Sequence, residues 1–373
     1  MSEEAVPGTR RRRVLYVDMA PSVGGSIISL YHLVSHLDRT RYEPVVALYG
    51  GNDYVSRFRA LGVDVHTVGG GGTEEAPDDT ASWTGLRQSR LARWLKRVKI
   101  GEDLVHLAGF FVRTWPALRR RSRQVASIMR QTCPDLVHLN DIVSVSRPGI
   151  MAARMVRVPA ICHLRAMRTR SPFDRWLSRS LRGYICISHA VDRHQSGLGG
   201  RTEPTWIVYN GLDLADFSLA EREDIRSEVR ADLGLDAQHI VVGCVGRLVP
   251  WKGQHVFLRA LAQLTDSYPQ LRGLIVGAPE AGKKAYMRQL RELVRELGLA
   301  ERVDFLGFRE DVPRLLQSMD LLVHASTAPE PFGRVIIEGM AAGTPVIATD
   351  AGAVPEIVES GGSGLLVCPD DVE

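Results

Sequence analysis

Long apolar runs are missing from this chain: no stretch approaches the ~20 residues that cross a bilayer. The apolar run after Arg10-Arg11-Arg12-Arg13 is Val14-Leu15-Tyr16-Val17 and stops at Asp18, too short for the apolar centre of a secretory signal. A cytoplasmic protein is therefore expected. Cysteine is scarce as well. The five cysteines (Cys133, Cys162, Cys186, Cys244, Cys368) form no CxxC pair and no His/Cys metal spacing. Four of them fall in apolar strand-like runs, so they read as buried thiols of a reducing compartment. Only five of the 47 basic residues are lysine, which makes arginine clusters partly a compositional habit. There is no P-loop and no HExxH; His32 and His36 share a helical face, but Leu33 stands where a metalloprotease needs its glutamate.

What is present is a chain of 373 residues, 45% hydrophobic and 24% charged, values of an ordinary soluble globular protein. At roughly 150 residues per domain this length makes two domains. The net charge of +4 conceals an asymmetry: residues 1–210 hold 31 basic and 18 acidic side chains, and residues 211–373 hold 16 and 25. The first half is thus expected to face something anionic. Short apolar runs at 14–18, 44–49, 63–68, 136–140, 160–164, 184–188 and 207–209 alternate with amphipathic segments, and the rhythm repeats at 240–246, 271–277, 303–307, 321–325, 345–349 and 364–367. Near-continuous apolar strands between helices imply parallel sheets covered on both faces. A turn signal over 209–213 marks the hinge. The domains are accordingly read as a basic tail over 1–13, a first domain over 14–205 and a second over 206–373. Within the first, 69–79 is a Gly-rich, then acidic loop, and 81–134 carries twelve basic residues against Glu102 and Asp103. Leu91, Trp94, Leu95 and Val98 recur there at helical spacing, which fits either a helix lying on anionic lipid or one packed on its own domain.

Several motifs carry chemistry by residue type and spacing. The strand at 241–245 ends in Gly246-Arg247-Leu248-Val249-Pro250-Trp251-Lys252-Gly253, after which a helical pattern begins. A glycine turn with two cations where a strand gives way to a helix suits a diphosphate; solvated surface cations are the plainer alternative. Downstream, Pro329-Glu330-Pro331-Phe332-Gly333 leads into Arg334 and an apolar helix, with Pro331 expected at its first position. On such a helix Glu330 and Glu338 would lie about 12 Å apart along the axis, matching the two ends of a sugar–diphosphate–ribose. Helix-start surface charges are the alternative. In the first half Gly24-Gly25 precede an amphipathic helix over 27–37 and can admit a phosphate or sugar, or simply make a turn. His163 ends one strand, and His138, Asn140 and Asp141 end the preceding one; each is a site candidate or a satisfied structural residue.

The stretches 246–253 (G-R-x4-K-G), 307–312 (GFREDV), 330–338 and 343–356 (GTPVIATDAGAVPE), in that order and spacing, resemble the retaining glycosyltransferases with a Glu-x7-Glu signature, the family-four, group 1 type. The resemblance covers 205–373 closely and the first half more loosely. It implies the GT-B fold: two doubly wound, Rossmann-like α/β domains facing across a cleft, donor in the second and acceptor in the first. It implies that Arg247 and Lys252 hold the donor diphosphate, Glu330 the sugar hydroxyls and Glu338 the ribose. Phe332, Gly333 and Arg334 would offer amides, Arg309 would line the base pocket, Gly24 and Gly25 would close on the donor, and His163 would contact the sugar or orient the acceptor.

The function so implied is transfer of a hexose-type sugar from a UDP-sugar or GDP-sugar to a saccharide, lipid-linked or small-molecule acceptor, in glycan or glycolipid biosynthesis and with retained anomeric configuration. No cofactor and no metal is expected, and the chain lacks the D-x-D triplet of metal-dependent glycosyltransferases. The basic, Trp-bearing first half suggests a peripheral enzyme on an anionic membrane surface, at the inner face of the plasma membrane. No nucleic-acid partner is expected, since no binding motif is present. The rivals are a sugar-nucleotide epimerase of the same architecture, against which the glutamate pair argues, and a non-catalytic polyanion-binding protein. Two departures from the family pattern stand out. Val276-Gly277-Ala278-Pro279 replaces the usual V-G-x-G, and the sequence stops at Glu373, so a shortened second domain is expected.

Overall fold

A computed structural model describes residues 10–20, 24–69, 114–196, 203–279, 282 and 284–373. The acidic part of the 69–79 loop, the helical pattern at 91–98 and most of the basic tail lie outside the described residues. The chain divides into two units, Met1–Cys186 with Gln195–Trp206, and Ile187–His194 with Ile207–Glu373.

The first unit is built on β1 (Arg12–Asp18), β2 (Tyr42–Tyr49), β3 (Asp64–Val68), β4 (Leu136–Asn140), β5 (Ala160–Leu164), β6 (Gly183–Cys186) and β7 (Thr205–Ile207). Their order in the sheet is β3-β2-β1-β4-β5-β6-β7, with parallel pairing from β3 through β6. Burial of the apolar runs explains the pairing: Leu15, Leu48 and Leu139 are fully enclosed, each contributing about 1.5–3 kcal/mol relative to exposure. One face is closed by helices Gly25–Ser35 and Tyr54–Ala60, whose Ile27, Leu30, Val34 and Phe58 pack on Val14, Tyr16, Val46 and Leu48. Helix Trp115–Thr132 begins with Pro116 in its first turn and buries Leu118, Val125, Ala126, Ile128 and Met129. Its Arg119, Arg120, Arg123 and Arg130 remain exposed. This described end of the basic segment therefore spends its apolar stripe on its own domain.

The second unit repeats the plan with β8 (Ile240–Val245), β9 (Leu271–Val276), β10 (Val303–Gly307), β11 (Leu321–His324), β12 (Val346–Thr349) and β13 (Leu365–Val367), ordered β10-β9-β8-β11-β12-β13 and parallel throughout. Successive strand residues feed opposite layers. Val241, Leu274 and Val276 join the helices at 222–232, 312–318 and 334–341, while Val242, Cys244 and Ile275 join those at 254–264 and 285–296. In both sheets the chain reverses its direction of growth between the first and fourth strands, β1/β4 and β8/β11. Crevices at the carboxyl ends of such strand pairs are where doubly wound folds hold ligands.

One expectation about the thiols is corrected. Cys162, Cys186 and Cys244 are buried, but Cys368 is exposed, like Cys133, because β13 is the edge strand and the chain leaves it at Val367. Among the described residues no helix is long and apolar enough to cross a membrane.

Candidate active site

At the carboxyl end of β8 the chain turns at Gly246 and passes Arg247, whose side chain lies exposed and whose carbonyl accepts from Gln254 Nε2 at 2.9 Å. A short turn, Pro250–Lys252, then leads through Gly253 into helix Gln254–Leu264. Gly253 has φ +70°, and a Cβ there would sit 1.7 Å from the Ala325 carbonyl oxygen. Only glycine lets this loop press so closely on the residues after β11.

That approach delivers Lys252 to Glu330, with Nζ 2.6 Å from Oε2. The same oxygen receives His324 Nε2 and Ser326 Oγ, both at 3.1 Å. Lys252 Nζ also lies 4.4 Å from the Trp251 ring centroid, a cation–π contact. Burial alone would raise the Glu330 carboxyl, which is 7% exposed; the charge of Lys252 and the hydrogen bond from His324 overcome it and hold the pKa down at about 2. Glu330 is thus a buried, ionised carboxylate with its donors gathered on Oε2.

The helix expected to start at Pro331 begins three residues later, at Arg334, with Gly333 as its cap at φ +96°. Glu330 is engaged elsewhere: it bridges Gly352, accepting from Ala353 N at 2.8 Å, and Ser188 Oγ holds the next carbonyl, that of Pro331, at 2.8 Å. Glu330 and Glu338 therefore do not share a helix, and the 12 Å axial spacing does not describe them. Glu338 instead pairs with Arg334, one turn away, at 2.9 Å. Arg309 is held by Asp311 at 2.5 Å, and Phe332 is buried with its ring 6.0 Å from that of Tyr209. The divergent 276–279 loop lies along the β8 turn, with Leu248 N donating to Ala278 O at 3.0 Å.

In the first unit His163 is the penultimate residue of β5 and is buried, at 5% exposure. Its Nδ1 lies 3.1 Å from His138 Nε2 and 3.3 Å from Arg165 Nη2, and its Nε2 is buried without a partner. Arg165 Nε donates to Asn140 Oδ1 at 2.6 Å, and Asn140 Nδ2 donates to Asp18 Oδ2 at 2.6 Å and to Ser26 O at 3.2 Å. Burial first, then the charge of Arg165, holds His163 well below the usual imidazole range and His138 down at about 3. Burial and the nearby Asp141 push Asp18 up to about 7. Asp141 itself is held at φ +133°, a strained conformation of the kind that gathers at functional sites. Gly24 caps helix Gly25–Ser35 in an extended conformation, and a side chain there would meet nothing within 4 Å.

Of the residues expected from sequence, Lys252 and Glu330 come together, as do Arg334 and Glu338, while Arg309 turns to Asp311. His324, Ser326, Asp18 and Arg165 were missed. Their signal was positional: Asp18 and His324 end β1 and β11, Arg165 directly follows β5, and Ser326 lies two residues past β11. Among the described residues no cluster of three His, Cys, Asp or Glu side chains is placed to hold a metal.

Residues 23–216 match the sequence family described as Glycosyltransferase Family 4, and residues 225–373 match Glycosyl transferases group 1. The D-inositol 3-phosphate glycosyltransferase of Mycobacterium sp. (strain KMS) is 40% identical over 168 residues, 44% of this chain and 36% of that protein. A lipopolysaccharide core biosynthesis mannosyltransferase, LpcC of Rhizobium leguminosarum bv. viciae, is 31% identical over 60% of this chain and 61% of its own length. The chain thus spans between about a third and three fifths of these two relatives. Among solved structures, Anabaena HepE in complex with UDP and glucose superposes with a TM-score of 0.75 at 29% identity, covering 97% of this chain and 87% of that one. With both sheets in the GT-B arrangement of strands and each half matched by its own glycosyltransferase sequence family, the chain belongs to glycosyltransferase family 4.

Proposed function

We propose that this protein transfers a hexose-type sugar from a nucleoside-diphosphate sugar to a saccharide, lipid-linked or small-molecule acceptor, with retention and without a metal. The observation that carries the reading is the Lys252–Glu330 pair at the β8/β11 reversal point, where a cation and an ionised carboxylate stand 2.6 Å apart. Lys252 and Arg247 meet the charge that builds on the departing diphosphate, which is where preorganised cations lower a barrier most. Glu330 accepts hydrogen bonds from sugar hydroxyls, and Glu338 those of the ribose, with Arg334 holding its carboxylate in place. The amides at Phe332 and Gly333 offer donors at a helix start. The departing phosphate takes the acceptor's proton. The Anabaena neighbour bound to UDP and glucose supports a nucleotide-sugar donor, and the inositol phosphate and lipopolysaccharide relatives support a polyol or saccharide acceptor.

Isothermal titration with UDP-glucose, UDP-N-acetylglucosamine and GDP-mannose tests the proposal. One of them binds the wild type and fails to bind Lys252→Met; binding of none, or equal binding by the variant, rejects it. The exposed arginines of helix Trp115–Thr132 support peripheral attachment to anionic lipid. Flotation with phosphatidylglycerol vesicles, against phosphatidylcholine as control, tests that part separately.

A further inference from the structure

We infer that Arg165 is a positioning residue that fixes the tautomer of His163: anchored through Asn140 to Asp18, its guanidinium donates into Nδ1, so the imidazole presents Nε2–H as a standing donor to a ligand oxygen. The inference rests on the transferase reading only for the identity of that oxygen, a hydroxyl of sugar or acceptor.

The direction of each bond follows from the groups themselves. A guanidinium has donors and no lone pair, so where Arg165 Nη2 meets His163 Nδ1 the nitrogen must accept. His138 Nε2 approaches the same Nδ1 at 3.1 Å and must therefore also arrive as N–H. A neutral His163 then carries its proton on Nε2, the atom that is buried without a partner. An unmet buried donor is costly, and folds retain one chiefly where something else completes it. The rest of the chain is equally constrained. Asn140 turns its oxygen to Arg165 and its nitrogen to Asp18 and Ser26 O, which leaves its amide one orientation.

The charged and titratable groups acting on the His163 ring are Arg165, just past β5, and His138 from β4; Asp18 from β1 and Asp141 after β4 lie one step further out, Asp18 feeling the charges of both Asp141 and Arg165. The Tyr16 ring lies tilted at 40° against that of His138, with ring centroids 5.0 Å apart. The pattern inverts that of a hydrolase triad, in which a carboxylate holds Nδ1–H and frees Nε2 as a base. With a cation at Nδ1, His163 donates and does not abstract a proton.

Two-bond proton–nitrogen correlation spectra of the full chain labelled with nitrogen-15 histidine read the tautomer directly, with His163→Gln supplying the assignment. Wild-type His163 should show Nε2 protonated and Nδ1 bare, unchanged from about pH 5.5 to about pH 8.5. Arg165→Met should release it, so that the ring titrates or mixes tautomers, and Arg165→Lys should restore the wild-type pattern. A wild-type ring with Nδ1–H, or one that titrates in this range, overturns the inference. So does a folded Arg165→Met protein with an unaltered spectrum; if that variant does not fold, the wild-type spectrum decides. Titration of the same sample with UDP-glucose reads the transferase proposal independently, since the tautomer needs no ligand.

Discussion

The two sheets share one strand order and handle a buried carboxyl at the reversal point in opposite ways. In the second unit Glu330 has an ammonium 2.6 Å away and stays ionised, its pKa near 2. In the first, Asp18 is buried more deeply still, meets a neutral amide at 2.6 Å with Arg165 only beyond it, and feels the charge of Asp141, and its pKa climbs to about 7. Burial pushes both carboxyls upward. Direct contact with a cation reverses that push, and an intervening amide does not. Topology thus chooses where the polar groups sit, and the first neighbour of each chooses its charge. One crevice is built around a fixed ion pair and the other around neutral rings and a proton-sensitive carboxyl.

Breaking the ion pair should have the largest effect. Lys252→Met strands a buried carboxylate, so stability should fall by about 3–5 kcal/mol and sugar transfer by at least about 100-fold, measured by thermal unfolding and by transfer of labelled sugar. A variant as stable and active as the wild type would show that the two crevices do not differ in this way.

The contrast should also appear in pH dependence. Glu330 is depressed on folding, so its stabilisation is full above its ordinary value of 4.5 and disappears as pH falls towards about 2. Asp18 is raised, so its contribution is full below its ordinary value of 3.8 and is lost as pH rises through about 7. Asp18→Asn should flatten the decline between these two values, while the loss of one acceptor oxygen lowers stability by the same amount at every pH. Denaturant midpoints taken across that range test it; a slope identical to wild type would place the titrating group elsewhere.

A smaller effect should separate donation from general-base chemistry in the first crevice. His163→Gln keeps an N–H and should retain transfer within about tenfold, whereas His163→Leu leaves the ligand oxygen unmet and should lose about 100-fold. Equal losses in both would argue for a role that only an imidazole can fill. Least of all, Gly24→Ala should change stability by less than about 0.5 kcal/mol, since the added carbon meets nothing within 4 Å. Any effect on UDP-glucose binding would then report on that loop's approach to the donor.

Much of the fold was legible because its signals are local. The run Val14-Leu15-Tyr16-Val17 can be buried only in a strand covered on both faces, and Gly253 before Gln254 announces a helix start. Lys252 and Glu330, which the structure pairs, were legible as candidates, each close to a glycine turn after an apolar strand. The helix boundary near Pro331 was not, because the bridge between Glu330 and Gly352 that delays it joins residues far apart in the chain. Asp18 and Arg165 escaped notice for the same reason: neither has a sequence neighbour that explains its burial.

The sequence by itself determined a doubly wound α/β chain of two halves, since period, length and turn chemistry are properties of neighbouring residues. Only the tertiary structure decided which carboxyl is charged and which ring nitrogen holds a proton. Those depend on contacts made across 78 residues for Lys252 and Glu330 and 122 for Asp18 and Asn140, and a protonation state answers to the nearest charge in space.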